Sequence, residues 1–183
     1  MRVISGIRRG RKLLSFEGDY IRPTTDRVKE AIFNLIQGYV DNARVYDAFS
    51  GSGALAVEAI SRGAEFAVCT DVDGRSIDII RKNIEGCGFS DKCEIINSSA
   101  CTYLETTDKL FDLVFMDPPY NKGLVTPALE VIARRGILSA DGLVVIERDG
   151  IEDMFDYSGY VVEKERSYGR TVITVLKLQQ KEV

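Results

Sequence analysis

The nine residues from Val45 to Gly53, Val-Tyr-Asp-Ala-Phe-Ser-Gly-Ser-Gly, constrain the fold of this chain more than any other stretch. They read as a buried strand that stops at a tight turn and runs into a helix from Ala54 to Arg62. Gly51 and Gly53 carry no Cβ, so the backbone can bend sharply and a ligand can lie against the peptide units, while the helix N-terminus points N–H groups at that ligand. The hexapeptide Gly51-Ser52-Gly53-Ala54-Leu55-Ala56 fits a dinucleotide fingerprint, and it fits equally a ligand-free turn packed through glycines. Residues elsewhere in the chain have to decide between the two.

The rest of the sequence alternates around this turn. Strands are predicted at Ala43–Phe49, Phe66–Thr70, Cys93–Asn97, Phe111–Met116 and Gly142–Glu147, with helices at about 75–85, 100–105 and 125–135 between them. Alternating strands and helices imply an α/β fold with a mostly parallel sheet, helices on both faces, and ligands at the carboxyl ends of the strands. Two last strands, Tyr160–Arg166 and Thr171–Leu178, flank Ser-Tyr-Gly-Arg and predict a C-terminal antiparallel hairpin, for a seven-stranded sheet. Ahead of all this, Arg2–Leu14 predicts a short hairpin or extended arm. Ile21-Arg22-Pro23 is extended, and Thr24, Thr25 and Asp26 offer caps to a helix over 26–37 whose Val28, Ala31, Ile32, Leu35 and Ile36 share one face. The expected organisation is a basic arm and helix, residues 1–40, packed on a domain of residues 41–183.

Charge and composition narrow the function. A net charge of −4 over 183 residues argues against a general nucleic-acid binder. Its distribution argues otherwise, since Met1 to Lys29 holds eight Lys and Arg against three acids, leaving −9 for the remainder. A basic segment on an acidic body suits one face that meets a phosphate backbone, and a frayed, solvated terminus would look the same in sequence. There is no histidine, which removes the Ser-His-Asp and Cys-His classes together with the commonest general base. Cys69, Cys87, Cys93 and Cys101 form no CxxC pair and read as small hydrophobes, so no metal is expected. No apolar run approaches the roughly 18 residues of a membrane span. A cytoplasmic monomer with no membrane partner is the expectation.

Three loops converge at the carboxyl edge of the predicted sheet. The first is the glycine turn with Asp47 ahead of it. The second is Asp71, placed where a carboxylate can accept both ribose hydroxyls of a nucleoside cofactor, or alternatively cap the next helix; Asp73 is the weaker candidate because it falls inside that cap. The third is Asp117-Pro118-Pro119-Tyr120. Two prolines at the end of a central strand fix the backbone and remove two N–H donors, which leaves carbonyl acceptors beside the Asp117 carboxylate. A carboxylate, a rigid carbonyl and an aromatic ring suit a planar group that carries an –NH2.

Asp117-Pro118-Pro119-Tyr120 is similar to the (Asp/Asn)-Pro-Pro-(Tyr/Phe) motif of S-adenosylmethionine-dependent methyltransferases that act on planar nitrogens, and Phe49-Ser50-Gly51-Ser52-Gly53 resembles their cofactor loop. Further blocks, Arg2-Val3-Ile4-Ser5-Gly6, Arg9-Gly10-Arg11-Lys12-Leu13 and Arg22 through Glu30, extend the likeness over nearly the whole chain to the RsmD-like family, the guanine-N2 methyltransferases of small-subunit (16S) ribosomal RNA. The resemblance implies a Rossmann-like class I methyltransferase fold with S-adenosyl-L-methionine as cofactor. It implies further that Phe49, Gly51 and Gly53 line the methionine and ribose portion, with Asp47 near the methionyl amine and Asp71 on the ribose hydroxyls. Ser99 and Ala100 would face the adenine, and Thr24, with Arg22 and Thr25, would close over cofactor or substrate. Asp117 and Pro118 would hold the target amine and Tyr120 would stack on the base. Arg8, Arg9, Arg11, Lys12 and Arg22 would meet the RNA, free or in an assembling 30S particle. Adenine-N6 and glutamine-N5 acceptors share the planar-amine motif. From outside the class, an NAD-dependent oxidoreductase accounts for Gly51, Gly53 and Asp71, and a nonenzymatic RNA-binding module accounts for the arm.

Overall fold

Seven strands form one sheet among the residues described by the structure, a computed structural model that covers residues 1–16, 26–119, 123–151 and 156–179. In chain order the elements are α1 (Asp26–Leu35), β1 (Arg44–Asp47), α2 (Ala54–Ser61), β2 (Phe66–Asp71), α3 (Gly74–Cys87), β3 (Cys93–Asn97), α4 (Ala100–Thr106), β4 (Phe111–Met116), α5 (Val125–Arg135), β5 (Leu138–Asp149), β6 (Tyr160–Tyr168) and β7 (Thr171–Leu178). The strand order is β3-β2-β1-β4-β5-β7-β6. The first five strands run parallel, and β7 pairs antiparallel with both β5 and β6. The chain leaves β1 toward β2 on one side and returns to β4 on the other, so a crevice opens at the carboxyl ends of β1 and β4, where α/β sheets bind ligands.

Period-two alternation divides the core into two layers. Val45, Ala67, Cys69, Leu113, Phe115 and Val145 face α1, α2 and α3, while Tyr46, Val68, Val114, Met116, Val144 and Ile146 face α4 and α5. Both faces of the central strands are covered, which is why β4 is apolar without a break from Leu113 to Met116. Helix α2 is buried on every side, because the N-terminal arm covers the flank turned away from the sheet.

The arm is a docked hairpin, not a frayed end. Arg2 and Lys12 form an antiparallel bridge, and Val3 and Leu13 are buried in the α1–α3 layer. The Ile4 and Ser5 amides donate to the Glu58 carboxylate at 2.8 and 2.9 Å, and the Ile7 amide donates to the Ser61 carbonyl at 2.8 Å. At Gly6 the fit requires glycine, since φ is +81° and a Cβ would stand 1.7 Å from the Ser61 carbonyl oxygen. Asn83 closes the far side by holding Leu14 through both its amide and its carbonyl, at 2.8 and 2.9 Å.

The observed elements match the predicted ones with differences at their ends. Helix α1 stops at Leu35, and Ile36 and Val40 stay buried in the turn that follows, which passes through Gly38 at φ +94°. Strand β5 begins at Leu138, well before Gly142, with a break in register between the Phe111–Leu138 and Leu113–Leu143 pairs. Ser139 to Gly142 therefore form a bulge whose Ser, Asp and Gly read as loop in sequence. The edge strand β6 is exposed along almost its whole length and carries Glu163, Lys164, Glu165 and Arg166, charges that discourage pairing with another sheet. Among the described residues no helix is long and apolar enough to cross a membrane.

Candidate active site at the carboxyl edge of the sheet

The turn after β1 is held from within. The Ser50 hydroxyl donates to the Asp47 carbonyl at 2.7 Å, the Ser50 amide donates to the Thr70 carbonyl at 3.0 Å, and the Gly53 amide returns to the Ser50 carbonyl at 2.7 Å. The two glycines serve different ends. Gly53, at φ +74°, lies where a Cβ would be 3.2 Å from Ile80, so it lets α2 approach α3. Gly51, at φ +54°, has open space where its Cβ would be. Gly53 offers α2 no side-chain cap, and apart from the Ala56 amide, which meets Asp47, the N–H groups of the first turn are open to the crevice.

Asp47 ends β1 beneath this turn and is 1% exposed. One carboxylate oxygen, Oδ2, receives the Ala56 amide at a long 3.4 Å, and Oδ1 has no hydrogen-bond partner among the described residues. Burial pushes its pKa up to about 7, with the nearby charges of Asp117 and Asp71 adding to the rise and the Ala56 amide opposing it. A buried carboxylate with an unsatisfied oxygen is costly unless a ligand completes it, and a cationic amine is the group that would.

Asp71 is at the end of β2 and does not cap the next helix. Asp73 does so, accepting the Arg75 amide at 2.9 Å. The Asp71 carboxylate ties two loops together, with Oδ2 on the Gly51 amide and Oδ1 on the Asp73 amide, both at 2.9 Å. The remaining acceptor sites on those oxygens suit a diol. Ser99 caps α4, its hydroxyl taking the Thr102 amide at 3.1 Å, so of Ser99 and Ala100 it is the backbone that is left to meet a ligand. Phe49 is half-buried and packs on the α4–α5 layer.

Asp117 follows β4 directly and is half-buried, with Pro118 buried and Pro119 exposed behind it. The ladders set Asp47 level with Phe115, and Phe115 level with Val145. Alternation thus places Asp117 on the same sheet face as Asp47, two residues further along, and the two are close enough for the charge of one to perturb the other. Tyr120, Arg22, Thr24 and Thr25 lie outside the described residues.

The structure does not bring the arm's basic residues into this crevice. Arg8, Arg9, Arg11 and Lys12 are exposed, but the hairpin tip lies at the carboxyl ends of α2 and α3. That is a helix length, about 12 Å, from the glycine turn. Arg8 donates to the Cys87 carbonyl at 2.5 Å and lies over the Phe89 ring, so it also supplies positive charge to the end of α3, whose last turn has none of its own. The return strand climbs back to the crevice, where Asn83 joins Leu14 to the Ser52 carbonyl at 2.9 Å. Sequence reading passes over Asn83 because a polar residue in the middle of a helix carries no signal of a long-range partner.

This fold, with a glycine turn after β1, an acid after β2 and Asp-Pro-Pro after β4, defines a Rossmann-like class I methyltransferase, the class whose cofactor is S-adenosyl-L-methionine. The orphaned Asp47 oxygen, the open space beside Gly51 and the Asp71 carboxylate fit that molecule's amine, backbone-facing portion and ribose. The chain belongs to the family described as conserved hypothetical protein 95, the RsmD family, whose model matches residues 1–177. Ribosomal RNA small subunit methyltransferase D of Haemophilus influenzae is 32% identical over 172 residues, covering 92% of this chain and 89% of that protein. The solved structure of yhhF from Escherichia coli superposes with a TM-score of 0.86 at 30% identity, covering 99% of each chain. A ribosomal protein L11 methylase from Lactobacillus delbrueckii, 19% identical with a TM-score of 0.69 over 88% of this chain and 81% of its own, shares the fold.

Proposed function

We propose that this protein methylates the exocyclic N2 amine of a guanine in small-subunit 16S ribosomal RNA, in free RNA or in the assembling 30S particle. The observation that carries the reading is the pairing, on one sheet face, of the buried and incompletely satisfied Asp47 with Asp117 and its two prolines on the neighbouring strand. Relatives of this family named for ribosomal RNA small subunit methylation support the substrate class.

When bound, S-adenosyl-L-methionine supplies an electrophilic methyl group on a positively charged sulfur. Asp47 would hold its amine, Asp71 its ribose hydroxyls, and Phe49, Gly51 and Gly53 would line its path, with the backbone at Ser99 and Ala100 toward the adenine and Thr24 contributing to the same site. The protein's own task lies with the acceptor. An exocyclic guanine amine is a poor nucleophile because its lone pair is delocalised into the ring, and this chain has no histidine to take its proton. Asp117 and the Pro118 carbonyl accept hydrogen bonds from the two N–H groups, which fixes the nitrogen and favours a pyramidal geometry with its lone pair available; the nitrogen gives up one of these protons as it gains the methyl group. Positioning of this kind supplies most of the rate. Tyr120 stacks on the extruded base, a contact worth about 1–3 kcal/mol. Arg22 would contribute to RNA binding, while Arg8, Arg9, Arg11 and Lys12, a helix length from the glycine turn, track phosphates of the flanking RNA.

The test is transfer of labelled methyl from S-adenosyl-L-methionine to small-subunit RNA, naked and partly assembled, followed by nucleoside analysis. Label in N2-methylguanosine is expected. Label in N6-methyladenosine, or in neither form of RNA while the cofactor binds, overturns the acceptor.

A further inference from the structure

We infer that Glu147 reads the target base, its carboxylate accepting the N1–H of guanine beside the N2 amine held at Asp117, and so selects guanine over adenine. The inference rests on the guanine-N2 reading above and names the residue that would enforce it.

Strand β5 is apolar and buried from Leu143 to Ile146 and then turns to Glu147, which is 5% exposed. Strand β4 does the same, apolar from Leu113 to Met116 and acidic at Asp117. The parallel ladder ends by pairing Met116 with Ile146, so Asp117 and Glu147 are the next residues along two neighbouring strands, which are spaced about 4.8 Å apart in the hydrogen-bonding direction. Val145 faces the α1–α3 layer with Phe115, and two residues on Glu147 shares that face with Asp117. Further along β5, Arg148 pairs with Glu165 of β6 at 3.6 Å and Asp149 with Arg170 at 2.7 Å.

Three acids therefore cross one face of the crevice in strand order, Asp47 on β1, Asp117 after β4 and Glu147 on β5. The buried Asp47 oxygen without a partner among the described residues marks the cofactor side. An amine held at Asp117 has the cofactor on its β1 flank, so the rest of the base extends toward β5. On the Watson–Crick edge the ring atom next to the amine is N1. In guanine N1 carries a hydrogen and donates; in adenine it is a bare acceptor that a carboxylate repels. Asp-Pro-Pro holds an amine of either base, and only the neighbouring group can tell the two apart. A site that hydrogen-bonds one ring rejects the other more strongly than an apolar pocket does.

The test begins by mapping the methylated nucleotide, then compares RNA fragments carrying guanosine or 2,6-diaminopurine riboside at that position. The analogue keeps the 2-amino group but has an acceptor at N1. The unmodified protein is expected to prefer guanosine about 100-fold in kcat/KM. In Glu147→Gln the carboxamide can donate to N1 of the analogue, so the preference should fall to within about 5-fold with cofactor affinity unchanged. Equal use of the two bases by the unmodified protein overturns the inference without any variant, and so does a Gln variant that retains the preference. Absence of N2-methylguanosine at the mapping step overturns the guanine-N2 reading and the inference with it, whereas equal use of the two bases leaves that reading standing.

Discussion

Glu58 and Asp47 are both buried carboxylates on the α1–α3 side of the sheet, and the chain treats them in opposite ways. Glu58, on α2, receives the amides of Ile4 and Ser5, the ammonium of Lys29 at 3.2 Å and the guanidinium of Arg62 at 2.8 Å, which in turn lies over the Phe33 ring. Four donors saturate it, and through them it fastens the arm, α1 and α2 to one another. Asp47 receives one long amide contact and keeps an oxygen without a partner among the described residues. A buried charge that is fully met is part of the framework, and one left incomplete at a sheet edge is held ready for a ligand.

The sharpest way to break this contrast is Glu58→Ala. It strands the Lys29 ammonium, whose side chain has no solvent exposure, and orphans two arm amides, so a loss of about 3–5 kcal/mol in urea unfolding is expected. A loss under about 1 kcal/mol would mean that the arm is held by its apolar contacts and its hydrogen bonds to Ser61 and Asn83 without help from Glu58. Asp117→Ala should do the reverse. Turnover should fall about 100- to 1000-fold with cofactor affinity and unfolding midpoint nearly unchanged, and equal losses in turnover and cofactor binding would move Asp117 to the cofactor side.

Asp47→Asn sharpens the comparison because its two effects have opposite signs. With a folded pKa of about 7 against an ordinary 3.8, the folded state binds the proton more tightly, so this group lowers stability as pH rises from about 4 to 7. The asparagine variant removes that slope and should be more stable than the parent by on the order of 2 kcal/mol above pH 7, at about 1.4 kcal/mol for each tenfold change in proton affinity, reduced by relaxation of the surroundings. Cofactor affinity should fall at least about 10-fold in the same variant. Parallel unfolding curves at pH 5 and pH 8 for the two proteins would show that the carboxylate is compensated in another way. The smallest effect belongs to the hairpin tip. Replacing Arg9 and Lys12 by alanine should reduce the slope of log affinity for RNA against log salt by about 1 to 2 while leaving stability within about 0.5 kcal/mol. An unchanged slope would leave the tip a purely structural device, as Arg8 partly is.

Much of this site is legible in the chain because its parts are local. The strand, turn and helix around Gly51 and Gly53 follow from apolar pattern and glycine spacing over a short window, Asp71 and Asp117 take their places from the ends of their own strands, and Asp73 takes its place from the cap of the helix that follows. The bulge that starts β5 at Leu138 is hidden by turn-forming residues inside a strand. Glu147 gives no signal because a single acid inside a strand, with no turn or proline motif behind it, says nothing until its neighbour is known, and the neighbouring strand is supplied by sheet register.

By itself the sequence determined the alternation of elements, the conformation of the glycine turn and the chemistry at each strand end, all consequences of side-chain period and backbone sterics within a few residues. Only the tertiary structure decided which of two buried carboxylates is saturated and which is left open, where the arm's arginines stand relative to the crevice, and that Asp47, Asp117 and Glu147 share one face. Those outcomes depend on strand order and on contacts between residues far apart in the chain, and no local pattern encodes them.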